Sequence, residues 1–140
     1  MIAAVDSSIL VAALRASERH HAECAAVLDQ GGLHVHVHAL AETFSTLTGG
    51  HIAPRVSASQ AATLIEAGIL PFVSAANLTT RDYLAAMKEA EVRGVRGGAI
   101  HDFLHLVSAR KARADCLYTL DISDFRSFHR PGDPEIVFPS

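Results

Sequence analysis

Long apolar runs are missing from this chain. No stretch reaches the roughly 18 consecutive apolar residues that a membrane-spanning helix needs, and Met1-Ile2-Ala3-Ala4-Val5 is too short, and lacks the basic lead, for a signal peptide. The expectation is a cytoplasmic protein with no membrane contact. Cysteine is scarce. Cys24 and Cys116 carry no CxxC spacing, which excludes a disulfide framework and leaves two small buried residues in a reducing compartment. Lysine is scarcer than the charge suggests: only Lys88 and Lys111 occur, both in helical patterns. The strand-end lysine that phosphatase-like and receiver-like α/β domains bring is therefore absent. Positive charge is not in excess either, since 12 Lys and Arg face 15 Asp and Glu for a net charge of −3. Bulk, non-specific nucleic-acid binding is disfavoured, although basic residues cluster between Arg81 and Arg96 and between Arg110 and Arg113, so a local positive surface can coexist with a negative total. No nucleophilic serine or cysteine motif, internal repeat or low-complexity segment is present.

What is present suits one α/β domain. The 140 residues are the usual size of a single unit, and 49% of them are apolar, with alanine prominent, so small-residue helices should pack closely on a sheet. Continuous or alternating apolar runs predict strands at Ile2–Val5, Leu33–His38, Leu70–Val73, Cys116–Leu120 and Glu135–Phe138. Pro71 would make the third of these an edge strand. Between them, helical spacing and stop signals predict helices over Ser8–Leu14, His21–Gln30, Ala39–Leu47, Ser57 to Gly68, Thr79 or Thr80 to Arg93, and Ile100–Ala114, with a helical turn at Ser123–Phe128. Strands alternating with helices imply right-handed crossovers and a parallel sheet covered on both faces.

Four carboxylates stand where an apolar residue would serve the fold better. Asp6 and Asp121 each end a strand, Glu42 lies inside the apolar stretch His38–Ser45, and Asp102 opens the helical stretch Ile100–Val107. Open α/β sheets bind ligands beyond the carboxyl ends of their strands. If the first and fourth strands are neighbours, Asp6 and Asp121 face each other there, and Glu42 and Asp102 complete a cluster that needs a counter-cation. Mg²⁺, with Mn²⁺ as substitute, suits an all-oxygen set. Singly, each acid also reads as a cap, and Asp6-Ser7-Ser8 is a sound N-cap signal.

The chain resembles the PIN-domain ribonucleases, most closely the VapC toxins of type II toxin–antitoxin modules. The segments that carry the resemblance are Val5-Asp6-Ser7-Ser8-Ile9-Leu10, Ala41-Glu42-Thr43-Phe44, Ile100-His101-Asp102-Phe103-Leu104-His105 and Tyr118-Thr119-Leu120-Asp121-Ile122-Ser123-Asp124-Phe125, in order across nearly the whole chain. The resemblance implies a three-layer α/β/α fold with a five-stranded parallel sheet in the order 3-2-1-4-5. It also implies a Mg²⁺-dependent endoribonuclease toxin and a cognate VapB-like antitoxin that blocks the site. On this reading Asp6 and Asp102 are the direct metal ligands, while Glu42 and Asp121 position water or a second ion. Asp124 competes with Asp121 for the fourth acidic position, and Thr119 and Ser7 stand in the outer shell.

Two other readings stay open. His34, His36 and His38 alternate on a predicted strand and would point to one face, as in a zinc hydrolase. The fold could also serve as a non-catalytic PIN-like binding module. His101 and His105 are expected on a helix surface. Apolar faces on the third and fifth helices predict a homodimer or a toxin–antitoxin hetero-oligomer. An antitoxin would place an arginine in the acidic cleft and cover Ile9, Leu10, Ala13, Leu64 and Ile65, expected to be partly exposed.

Overall fold

Asp6 turns the chain from the first strand into the first helix, and that turn sets the rest of the architecture. The computed structural model describes residues 1–50 and 54–140. Strand β1 (Ala3–Val5) leads through Asp6 into α1 (Ser7–Leu14) and α2 (His21–Asp29), and β2 (Leu33–His36) leads into α3 (His38–Thr48) and α4 (Ala58–Gly68). A 3₁₀ turn at Leu70–Phe72 precedes β3 (Val73–Ala76), after which come α5 (Thr80–Arg93), α6 (Ala99–Lys111), β4 (Cys116–Tyr118), α7 (Ile122–Phe128) and β5 (Glu135–Val137). The five strands pair in parallel in the order β3-β2-β1-β4-β5, as expected.

Strand alternation divides the core in two. Ala3, Val5, Leu33 and Val35 pack against α1, α2, α3 and α4, while Ala4 and Leu117 face α5, α6 and α7. His34 pairs in register with Ala4, so β2 turns apolar residues to the first layer and His34 and His36 to the second. Each fully buried side chain such as Ile9, Leu33, Phe103 or Leu117 contributes about 1.5–3 kcal/mol of burial. The helices are delimited by local chemistry: Ser57 with Gln60 and Thr79 with Asp82 form reciprocal capping boxes. Gly94 ends α5 in the left-handed region at φ 73°, which a side chain would resist.

Several expectations need correction. Pro71 is not in a strand; with its fixed φ and no N–H it sits in the opening of the 3₁₀ turn, and β3 starts after it. β3 is an edge strand because of its place in the sheet. The histidine alternation on β2 stops at His36, because Val37 takes a helical conformation (φ −53°, ψ −33°) and His38 becomes the first residue of α3. His34, His36 and His38 therefore do not share one strand face. Ile9 and Leu10 are wholly buried where α1 packs against α2 and α3, so they cannot form an exposed groove. His105, expected on a surface, lies in the seven-residue buried run Phe103–Ala109.

Candidate functional site

The parallel register of β1 and β4 pairs Val5 with Tyr118, and Asp6 N–H extends the ladder by donating to the Tyr118 carbonyl at 3.3 Å. The two chains then leave the sheet side by side, toward α1 and α7. Asp6, 2% exposed, is both a helix cap and a junction. Its Oδ1 accepts from Ser8 N (3.0 Å), Ile9 N (3.4 Å) and Ser8 Oγ (2.5 Å), and its Oδ2 accepts from Thr119 Oγ1 (2.6 Å). Thr119 Oγ1 accepts in turn from Asp121 N (3.0 Å), and Ser8 Oγ accepts from Leu120 N (3.0 Å). Two hydroxyls thus lace the β4–α7 turn to the β1–α1 turn. Thr119 is fully buried. Ser7 lines an adjacent cleft, whereas Ser8 makes the contacts with Asp6. Sequence reasoning passed over Ser8 as a site residue, although the cap signal named it.

Three aspartates have carboxyls raised above the ordinary range. Burial pushes the Asp6 carboxyl above its ordinary range against the opposing His105 charge and the hydrogen bonds of Ser8, Thr119 and Ile9. Asp102, in the first turn of α6, rises to about 6 through burial, then the Asp6 charge, with Asp121 and Asp124 adding to it and His105 opposing. Asp121 rises through partial desolvation and the charges of Asp6 and Asp124. Asp6 acts as a like charge on both Asp102 and Asp121, and Asp121 acts as one on Asp102, in a poorly solvated place.

Glu42 behaves in the opposite way. Burial alone would raise its carboxyl, but the hydrogen bond and charge of His105, with His38 and His101 behind them, hold it below the ordinary value. His105 Nε2 donates to Glu42 Oε1 at 2.7 Å. His105 is 3% exposed; burial would discharge it, yet Glu42, Asp6 and Asp102 raise its affinity for a proton. His36 takes the other role, since burial and then the neighbouring His105 and His38 drop it to about 4. The rings form a chain: His36 lies 5.8 Å from His105 and 6.1 Å from His38, and His38 stacks with His101 at 5.9 Å.

The acids therefore divide into an aspartate side and a histidine-backed glutamate. Asp121 opens into a cleft of about 300 Å³ with Ser7, Ser8, Glu18 and Thr46, and Asp102 and Asp124 line a second of about 310 Å³ with Gly98, Ala99 and Ser127. Asp121 stands at the N-cap position of α7 without making a capping bond, three residues beyond the strand end, and Asp124 follows in the first turn. Among the described residues, no three His, Cys, Asp or Glu side chains are grouped closely enough to hold a metal ion as they stand.

The profile of the PIN domain family matches residues 3–130. The chain belongs to the PIN domain family. No curated protein sequence matches this PIN domain. Solved structures do share its fold. A sarcin–ricin-loop-cleaving VapC toxin of Mycobacterium tuberculosis is 18% identical with a TM-score of 0.71, over 94% of this chain and 99% of that one. The VapBC complex of Rickettsia felis bound to a promoter DNA fragment is 17% identical with a TM-score of 0.68, covering 100% of both chains. A toxin–antitoxin complex of Klebsiella pneumoniae is 18% identical with a TM-score of 0.65, over 99% of this chain and 98% of that one. Among the described residues, no helix of this PIN domain is long and apolar enough to cross a membrane.

Proposed function

We propose that residues 1–140 form a single PIN domain acting as a Mg²⁺-dependent endoribonuclease, with Mn²⁺ as a substitute, and as the toxin of a toxin–antitoxin pair. The observation that carries this reading is the accumulation of Asp6, Asp102 and Asp121 at the carboxyl edge of the sheet, with their carboxyls all pushed up. An all-oxygen donor set under mutual repulsion is the chemistry a hard divalent cation relieves.

Asp6 and Asp102 would hold the ion directly, with Asp121 beside them and Asp124 in the outer shell. Bound there, Mg²⁺ supplies an activated water and neutralises charge on the phosphoryl oxygens. The chain's own residues do the rest. Ser8 and Thr119 fix the Asp6 carboxylate before any ligand arrives, so little reorganisation is left for the reacting complex. Glu42 stands ready to orient water on the opposite side. His38 and His101, both exposed at the rim beside Glu42 and Asp102, are placed to meet RNA phosphates or splayed bases.

The partner reading rests on kinship with structures solved as toxin–antitoxin complexes. A VapB-like antitoxin would enter this cleft with an arginine, whose fork satisfies two carboxylates. Exposed Leu84, Met87 and Val92 on α5 and Phe44 on α3 support a homodimer or a toxin–antitoxin hetero-oligomer. The test of function is cleavage of a mixed RNA panel by purified protein with and without Mg²⁺. Metal-dependent fragments are expected. Binding without cleavage at any Mg²⁺ or Mn²⁺ concentration would favour the non-catalytic module instead.

A further inference from the structure

The centre of α6 is the most buried stretch of helix in the molecule, and His105 interrupts it. Phe103, Leu104, Leu106 and Val107 surround it in sequence, all buried. An apolar side chain there would stabilise the fold by burial. Imidazole instead brings two ring nitrogens into the core, and Nδ1 has no hydrogen-bond partner among the described residues. A buried polar atom left without a partner destabilises the fold. A residue that breaks the local packing rule without helping the core points to a site it serves.

Among the described residues, the one side-chain hydrogen bond of His105 goes to Glu42. These two residues belong to opposite layers, since α3 covers one face of the sheet and α6 the other. The 2.7 Å contact closes over the carboxyl end of the strands, where the two layers meet. It engages Oε1 only; among the described residues Glu42 Oε2 makes no hydrogen bond. The glutamate is thereby held at one oxygen while its side chain stays 25% exposed.

We propose that His105 is a positioning residue, whose Nε2 donates to Glu42 Oε1 and so fixes where the glutamate carboxylate stands at the carboxyl edge of the sheet. Its catalytic consequence rests on the ribonuclease reading above, and its geometric content does not. The tie is rigid at the histidine end, because a side chain packed on every side has one rotamer to offer. Loss of a partner that orients a site carboxylate typically costs about 10- to 100-fold.

The experiment compares wild type with His105→Ala, His105→Gln, Glu42→Ala and the double variant His105→Ala/Glu42→Ala, each measured for RNA cleavage, and those that retain Glu42 also for its carboxyl ¹³C resonance, assigned by its loss in Glu42→Gln. His105→Ala should lower kcat by about 10- to 100-fold with KM nearly unchanged, and His105→Gln, whose amide N–H reaches a similar point, should recover most of the loss. In the Glu42→Ala background, His105→Ala should cost less than about twofold more, because the two act as one unit. The Glu42 resonance should move in His105→Ala and return toward wild type in His105→Gln. Where His105→Ala is too unstable to assay, the glutamine variant decides, by keeping or losing activity and the resonance position. Wild-type activity in His105→Ala, multiplying losses in the double variant, or an unmoved Glu42 resonance would overturn the proposal. A wild-type protein that cuts no RNA would refute the ribonuclease reading alone, and the resonance would still judge the positioning claim.

Discussion

The two sides of this cleft solve the same electrostatic problem differently. On the aspartate side, Asp6 is held by hydroxyls and backbone amides, and the carboxyls of Asp6, Asp102 and Asp121 are all raised. On the glutamate side, Glu42 meets a histidine wall and is lowered. The His105 charge reaches both sides but its hydrogen bond goes to Glu42, and on the proposed reading an external cation compensates the aspartates.

The largest expected effects come from breaking the aspartate side. Asp102→Ala and Asp6→Ala should both reduce Mg²⁺-dependent RNA cleavage to background, yet they should part company in stability. Asp102→Ala removes a repelled carboxylate and should raise the melting temperature of the metal-free protein. Asp6→Ala removes the cap of α1 and the acceptor for Thr119, and should lose about 1–2 kcal/mol. Melting curves of both variants that shift in the same direction would break the comparison.

Next in size is the pH dependence of the metal-free protein. Asp102 sits at about 6 in the folded chain against 3.8 as an ordinary aspartate. Because folding raises this carboxyl, the folded state binds the proton more tightly than the unfolded one, so its contribution favours folding at low pH and is lost as pH climbs from about 3.8 to about 6. Denaturant titrations should show wild type losing stability across that window relative to Asp102→Asn. Saturating Mg²⁺ should abolish the difference in slope. Parallel wild-type and variant curves would count against a raised Asp102.

Smaller effects test the lacing between the turns. Thr119→Val keeps the shape but leaves Asp6 Oδ2 without its donor and Asp121 N without its acceptor. A loss of about 1–3 kcal/mol by chemical denaturation is expected, together with weaker catalysis at unchanged RNA affinity. Smallest of all should be His38→Ala. It removes one of the minor charges near Glu42 and one ring of the rim, and should shift KM for RNA by about twofold, the size expected of an exposed contact.

Much of this arrangement is legible in the sequence, and the misses have physical causes. Apolar periodicity is enough to place β1, β4 and the helices, because each buries one face, and strand-ending acids flag the sheet edge. Periodicity says nothing about where a strand yields to a helix when both patterns tolerate the same residues. At Val37 the helix-forming sequence behind it wins, and His38 leaves the strand. In the sequence Pro71 marks an edge strand and not a 3₁₀ turn, since a fixed φ suits both. His105 was misjudged because polarity argued for the surface. The stronger signal was its apolar neighbours on either side and its spacing of one helical turn from Asp102. That Glu42 would part from the aspartates was not legible, since it depends on a contact 63 residues apart in sequence.

Isothermal titration of Mn²⁺ into wild type, Asp102→Asn and Glu42→Gln tests the division of the cleft most directly. Wild type should bind with a saturable isotherm, Asp102→Asn should lose at least about tenfold in affinity, equivalent to 1.4 kcal/mol, and Glu42→Gln should bind nearly as wild type does. Equal loss in both variants, or loss in Glu42→Gln alone, would contradict the assignment of the cation to the aspartate side.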